Sequence, residues 1–533
     1  MIAVTVILAV AAVGFGVSAW LRMPTVPLLV LGGIGLTFLS RLSGRDVVSQ
    51  DMVNNLLMLG LTFLVFIAGM ELNPRRAGRH LRTSLLIGLT QFVLLGLAGF
   101  LAVYLLGFGY VESTYMALAV SASSTIVVVR LLMSRRQFFE PFGRVVLGVL
   151  LLQDLLIIVA LAVLSGISSG ATVVTMHVLA TAGMFALSML SSRYVVPWLF
   201  IRLSLDQERM LLVALAVLFV FVGLSHLAGI PLVVGGFLAG ISLSGFPVQG
   251  LLRGQMASVV NFFLAVFFVA LGATLQLPSA REMLLVLALV AMVIVLTPLI
   301  VVLIAERAGL SSRAAIETGL LLAQCSEFSL IVALIGAERG HLDEGMVSVI
   351  ALMTVVSMIL TPFLATDRMT WRLMRLYPAR ELPRQTIEAD HHILMLGCGA
   401  NSRMLLDLLL LYGVPVIVMD EDPAVVDALR KRGIEAVRGN GADPEALKQV
   451  RAGEAAFIVS TMTRVQDNLR LLESVRGVEV LVRVADSAGA KRIRQAGGEA
   501  VVESEAAAED FLHWFDKHAA SLNVGNKTCE GEL

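Results

Sequence analysis

Lysine is absent from the first 365 residues of this 533-residue chain, and charge of either sign is scarce there, with 19 arginines and 15 acids. Over the whole chain 15% of residues are charged and 57% hydrophobic, where a soluble domain carries about 25% charged. That shortage excludes an ordinary soluble fold for the stretch. No basic face is present either, so the composition excludes nucleic acid as a partner. Cysteine is equally sparse: Cys325, Cys398 and Cys529 stand far apart, without the spacing of a disulfide framework or a metal site. The first apolar run, Ile2 to Leu21, lacks a basic lead-in and an A-x-A cleavage signal. It reads as a retained span rather than a signal peptide.

What the first part holds instead is apolar length. A helix needs about 20 largely apolar residues to cross a bilayer. Thirteen stretches qualify, near 2–21, 24–40, 53–71, 83–105, 113–133, 144–164, 172–195, 210–228, 230–243, 258–276, 283–304, 314–335 and 345–365. The eighth and ninth are divided only by Gly229-Ile230-Pro231. Arginine tests that division, because Arg and Lys favour cytoplasmic loops. With thirteen spans and the C-terminus inside, the N-terminus lies outside. Fifteen arginines then fall in inner loops, Arg313 among them, and four (Arg41, Arg45, Arg281, Arg339) in outer ones. Merging the two spans reverses the bias. The expectation is a multi-pass protein of the plasma (inner) membrane.

After Pro362 the texture changes. Short apolar runs at Ile393–Leu396, Val414–Met419, Glu435–Val437, Ala455–Val459, Val478–Val484 and Ala500–Val502 alternate with helical patterns. That rhythm reads as βαβ units around a parallel sheet. The chain therefore divides into a membrane domain (1–365), a linker (366–388), an α/β domain (389–505) and a C-terminal tail (506–533).

A charge within the bilayer is expensive and is a functional candidate by default. Asp154 lies mid-span beside Gln153, with no basic residue within nine positions. A carboxylate removed from water favours a bound proton or cation over a bare charge, which is the chemistry of exchange. A purely structural pairing across helices finds no lysine and few interior arginines to serve it. Span five carries Ser121-Ala122-Ser123-Ser124-Thr125 and span twelve Gln324-Cys325-Ser326-Glu327-Phe328. The four hydroxyls of the first segment can satisfy the backbone where a helix unwinds. Paired breaks in two halves of a chain point to a transporter's substrate site, although Ser and Thr can also bond back to their own helix. Asp154 and Glu327 are taken as the acids inside the spans. Glu71, at a helix end, and Glu208, beside Arg209, are taken as structural pairing residues.

Together these residues resemble the monovalent cation:proton antiporter-2 family over nearly the whole chain. The resemblance rests on Phe66–Glu71, Ser123-Ser124-Thr125, Leu152-Gln153-Asp154, Gly235–Gly240, Phe267-Phe268 with Gly272, and Ser326-Glu327-Phe328. Gln153-Asp154 followed by a nucleotide-binding domain looks most like the Kef-type potassium/proton antiporter branch. The resemblance implies an inverted-repeat antiporter fold with two broken crossing helices, a homodimer, and elevator-like alternating access. It implies ion and proton binding at Asp154, Gln153, Ser123, Ser124, Thr125, Ser326 and Glu327, and no metal beyond the transported cation. The chain departs from the family twice. The basic residue usual in span eleven is replaced by Thr297, before Pro298. The acidic loop that gates Kef systems through glutathione reads here Ser244-Gly-Phe-Pro-Val-Gln-Gly-Leu-Leu-Arg-Gly254, with no acid, which argues against glutathione gating. One titratable group at Gln153-Asp154 predicts electroneutral one-for-one exchange.

In the α/β domain, Leu396-Gly397-Cys398-Gly399-Ala-Asn401-Ser402 joins a strand to a helix, where glycines let a backbone approach phosphate. Asp420 and Glu421 follow about 20 residues on, where an acid meets ribose. Asn440 lies in the Gly439–Asp443 turn after the third strand, and Ser460-Thr461 follow the fourth. This looks like an RCK or TrkA-N regulatory domain, with AMP, ADP, ATP, NAD or NADH as an adenine-nucleotide ligand. A Rossmann fold that only dimerises is the alternative. The chain as a whole reads as a transporter exchanging potassium, ahead of sodium, for protons, and not as an enzyme. A nucleotide-gated potassium channel would need a T-x-G-Y/F-G filter, which is absent. A non-transporting sensor leaves Asp154 and the breaks unexplained.

Overall fold

Backbone in hydrocarbon has no water to bond, so each spanning segment closes its hydrogen bonds internally as helix. The computed structural model describes residues 2–21, 25–43, 50–71, 81–135, 137, 140–167, 171–202, 207–245, 248–275, 278–376, 392–399, 402–503, 505, 508, 511–512 and 514–515. Two compact units result, Met1–Leu376 and Tyr377–Leu533, and each is taken by itself.

In the first unit the helices are α1 (Ile2–Leu21), α2 (Thr25–Ser43), α3 (Gln50–Glu71), α4 (Leu81–Leu105), α5 (Tyr110–Ser121) and α6 (Thr125–Ser134). Then come α7 (Pro141–Ile167), α8 (Ala171–Leu190), α9 (Val196–Arg202), α10 (Gln207–Leu227), α11 (Leu232–Ser242) and α12 (Val248–Thr274). The unit closes with α13 (Ala280–Arg307), α14 (Ser312–Leu322), α15 (Phe328–Glu338), α16 (Glu344–Leu364) and α17 (Asp367–Leu376). Each of the thirteen apolar stretches is helical, the fifth and twelfth broken in the middle. Among the described residues seven helical stretches are long and apolar enough to cross a membrane. The segment 366–388 opens as α17, inside the first unit; its remainder, and most of the tail, lie outside the described residues.

The division between α10 and α11 has a local cause. Gly229 takes a left-handed φ of +71°, its N–H donates to His226 O at 3.1 Å, and Ile230 N–H donates to Ser225 O at 3.1 Å. This is the double bond of a Schellman cap, after which Pro231 starts the next helix.

Elsewhere glycines bring backbones into contact. A Cβ on Gly69 of α3 would stand 2.1 Å from Phe237 O, and one on Gly240 of α11 2.1 Å from Phe66 O. Between α2 and α12, a Cβ on Gly33 would lie 2.2 Å from Val269 O and one on Gly272 2.1 Å from Val30 O. Small residues at such crossings are how membrane helices associate where burial of apolar surface gives no drive.

The second unit is a six-stranded parallel sheet of β1 (Ile393–Leu396), β2 (Val416–Asp420), β3 (Glu435–Arg438), β4 (Phe457–Ser460), β5 (Glu479–Val484) and β6 (Glu499–Val502). The order is β3-β2-β1-β4-β5-β6, with helices between successive strands. Apolar clusters lie on both faces, one around Leu394, Ile458 and Val482, the other around Ile393, Met395 and Leu406. Strands covered on both faces explain why they read as continuous apolar runs.

Candidate functional site

Span five stops at Ser121, where Ala122 turns extended (φ −114°, ψ 151°), and resumes at Thr125. Ser124 caps the new helix by accepting from Val127 N–H at 3.4 Å. Span twelve breaks between Leu322 and Phe328, with Ala323 at φ −76°, ψ 53°. Each break frees backbone groups that cost free energy if left unmade in a buried place. The two breaks satisfy each other. Ser123 Oγ donates to Leu322 O at 2.7 Å, and Ser329 Oγ donates to Ala119 O. Within the second break Cys325 N–H donates to Ser357 Oγ at 3.0 Å and Phe328 N–H to Ser326 Oγ at 3.1 Å. The broken helices therefore cross and are bonded at the crossing.

Ser123 is the centre of this network. Its N–H donates to Gln153 Oε1 at 3.1 Å, and its hydroxyl accepts from Gln91 Nε2 at 3.3 Å. Ser123, Gln153 and Gln91 are all fully buried. Two residues on, Thr125 Oγ1 donates to Asp154 Oδ2 at 2.9 Å. The Asp154 carboxyl is 2% exposed and is held to the first residue of α6, where the half-helix dipole favours negative charge. Asp154, Gln153, Thr125 and Ser123 are thus joined by direct bonds on α5–α7. Ser124 caps its own half-helix, Ser326 Oγ accepts from Phe328 N–H just before the other, and Glu327 is buried at the N-cap position of that second half-helix. Gln91, on α4, is missing from the sequence-derived set; as a lone amide in an apolar run it carries the same signal that marks Gln153.

Two further features depart from the sequence reading. Asp154 and Glu327 are not the only acids inside the spans: Glu317, on α14, is 5% exposed and accepts from Arg313 Nε at 3.1 Å. Arg313 is 4% exposed and is not a loop charge. At the position of the family's basic residue, Thr297 is fully buried, and so is Thr318 on α14. Neither hydroxyl has a hydrogen-bond partner among the described residues. The two helices touch nearby, since a Cβ on Gly319 would lie 2.7 Å from the Cα of Pro298. Side-chain surroundings of Glu71 and Glu208 lie outside the described residues.

In the second unit the strand order reverses direction between β1 and β4, and doubly wound sheets bind ligands at that switch point, beyond the strands' C-terminal ends. Gly397 has a φ of +80°, and Thr461 Oγ1 donates to Gly397 O at 2.8 Å. Asp420 Oδ2 accepts from Cys398 N–H at 2.6 Å, and Oδ1 from Asp422 N–H at 2.8 Å. Burial pushes the Asp420 carboxyl above its ordinary value, against the pull of those N–H bonds. Cys398 is buried beside it, and burial first, then the Asp420 charge, pushes its thiol up. Ser460 Oγ donates to Asn468 Oδ1 at 2.5 Å, so it fastens the following helix. Ser402 is buried at the start of α18 (Arg403–Leu411), Gly399 stands in open space, and Glu421 follows Asp420 off β2. Asn440 Oδ1 accepts from Ala442 N–H at 2.8 Å, while its buried Nδ2 has no acceptor among the described residues. The Gly397 turn, the Asp420 carboxyl and the idle Asn440 amide are polar groups of the kind a nucleotide needs at this end of the sheet. Asn401 lies outside the described residues.

A buried carboxylate beside two crossing broken helices defines a membrane protein that exchanges cations for protons. Residues 5–366 match the family described as sodium/hydrogen exchanger, transmembrane, and residues 393–504 match the TrkA-N domain. The chain belongs to the sodium/hydrogen exchanger family. It is 27% identical over 467 residues to the glutathione-regulated potassium-efflux system protein KefC of Salmonella schwarzengrund, over 85% of this chain and 75% of that one. The KefC of Salmonella typhi matches to the same extent. The solved sodium proton antiporter MjNhaP1 from Methanocaldococcus jannaschii is similar in fold, with a TM-score of 0.54 and 15% identity over 70% of this chain and 98% of that one.

Proposed function

We propose that the chain exchanges potassium, ahead of sodium, for protons, one for one and without net charge, with Asp154 holding the proton or the cation in turn. The observation that carries this reading is the bond from Thr125 to Asp154 beside the Ser123 crossing. Gln153, Ser124, Ser326 and Glu327 supply further oxygens around the breaks. One carboxylate, Asp154, held by Thr125 and preceded by the neutral Gln153 rather than by a second acid, supports electroneutral exchange. The similarity to a potassium-efflux protein supports potassium. That relative is named as glutathione-regulated, whereas the Ser244–Gly254 loop here has no acid; an adenine nucleotide (AMP, ADP, ATP, NAD or NADH) at Gly397, Asp420 and Asn440 is the regulator instead. The protein works as a homodimer in the inner membrane, with its N-terminus outside and its second unit cytoplasmic.

The test is a proteoliposome with a trapped pH dye, challenged in turn with potassium and sodium. Potassium should move the dye signal at lower concentration, and Asp154→Asn should abolish it. Normal exchange by that variant would sink the site. A current driven by a substrate gradient would count against electroneutrality. A thermal-shift panel of the five nucleotides should single out one ligand, with the response lost in Asp420→Ala.

A further inference from the structure

Helix α17 follows the last span and precedes the residues that lead to the second unit. It is two-faced: Thr370, Trp371 and Met374 are buried, while Arg368, Arg372 and Arg375 are exposed. The buried face packs on α14. There the Trp371 ring covers the Arg313 guanidinium, 5.2 Å from its centroid, and Asp367 Oδ1 stands 4.0 Å from Arg313 Nη2. The Arg313–Glu317 pair lies on one helix and does not need α17 to form. What α17 adds is cover from water and a second carboxylate. A buried charge pair is costly to leave half-matched, and an indole face over a desolvated guanidinium is the strongest of the aromatic contacts to a cation. Docked α17 is therefore a defined state, distinct from one with Arg313 open to water. At the other end of α14, about two and a half turns away, the Leu322 carbonyl takes the Ser123 hydroxyl. A short helix moves as a rod, so a shift at Arg313 is a shift at Leu322.

We propose that Arg313 is a positioning residue: α17, docked on it through Trp371 and Asp367, sets where α14 stands, and α14 passes that position to Ser123 and the Asp154 site. This rests on the reading of Asp154 as the exchange site.

The test is cation exchange by the full chain in proteoliposomes, over a range of cation concentrations and pH, for Trp371→Leu and Trp371→Tyr. Neither change alters charge, so a direct field at Asp154 is not at issue. Trp371→Leu should change the apparent cation KM by about 2- to 30-fold, the span of effects seen for residues that touch neither ligand, and move the pH midpoint of exchange. Trp371→Tyr, which keeps a ring over Arg313, should restore both. Asp367→Asn should act in the same direction more weakly, and it serves if Trp371→Leu does not fold. A Trp371→Leu protein that is only less abundant, with the KM and pH midpoint of the parent, overturns the proposal. So does Trp371→Tyr behaving like Trp371→Leu. If Asp154→Asn exchanges normally, the site reading fails; if it is inactive while Trp371→Leu is unshifted, only the coupling fails.

Discussion

The hydroxyl of Thr125, the first residue of α6, donates to the carboxylate of Asp154 in the middle of α7 across 2.9 Å. The bond ties the acid to the edge of a helix break. A hydrogen bond to a charged group is worth about 1.5–3 kcal/mol. Thr125→Val should therefore weaken the apparent affinity for the cation by roughly 10- to 100-fold, while Thr125→Ser keeps most of it. Concentration dependence of exchange in proteoliposomes reads the difference, and equal KM values for the two variants would remove Thr125 from the site.

Ser123 is the point at which the breaks are joined. In Ser123→Ala the Leu322 carbonyl loses its donor inside a buried crossing, at a cost of about 1–3 kcal/mol. Gln91→Leu removes a bond to the same hydroxyl but leaves the hydroxyl's own donation in place, and should cost about 1 kcal/mol. Thermal unfolding in detergent should rank the proteins parent, Gln91→Leu, Ser123→Ala in falling stability, with exchange falling in the same order.

At the glycine crossings the neighbour of an added Cβ is a backbone oxygen, which has no rotamer to retreat into. Gly240→Ala and Gly272→Ala should each lower stability by about 1–3 kcal/mol, as overpacking does, whereas Gly16→Ala, with open space around its Cβ position, should be close to neutral. Yield of monodisperse protein on size exclusion is a sufficient readout.

In the second unit, pH should separate binding from stability. Asp420 is held above the ordinary carboxylate range by burial. Ribose hydroxyls need an ionised acceptor, so nucleotide affinity should fall as pH drops through that raised value, earlier than an ordinary aspartate would allow. Stability without nucleotide runs the other way. The folded form takes up the proton first, so stability rises as pH falls from the raised folded value towards the unfolded one. The difference between parent and Asp420→Asn, measured by thermal shift across pH with and without nucleotide, isolates both effects. A flat difference would mean that Asp420 neither titrates in this range nor meets the ligand.

Apolar length and period made the helices and strands legible, and the hydroxyl-rich pentad Ser121–Thr125 and the polar pentad Gln324–Phe328 marked both breaks. What one sequence cannot carry is which distant segment answers a polar group. Gln91 was visible as an amide in an apolar run, but only the fold brings α4 to Ser123. Arg313 reads as a loop charge from sequence because it stands at the start of a span. Its acid at i+4, Glu317, was already in the chain, and that spacing was the available sign of a buried pair. Glycines 240 and 272 stood out in the chain, while their counterparts, Gly69 and Gly33, acquire meaning only once α3 meets α11 and α2 meets α12.

Those glycine contacts bear on motion. Where Gly69 faces Gly240 and Gly33 faces Gly272, backbone meets backbone in both directions, with no side chain between to slide or repack. Such helix pairs behave like meshed teeth: they hold one register or separate, and they do not creep. These four helices thus make a stiff chassis, and the displacement that exchange demands falls to the rest of the unit, where hydroxyls and amides can trade partners.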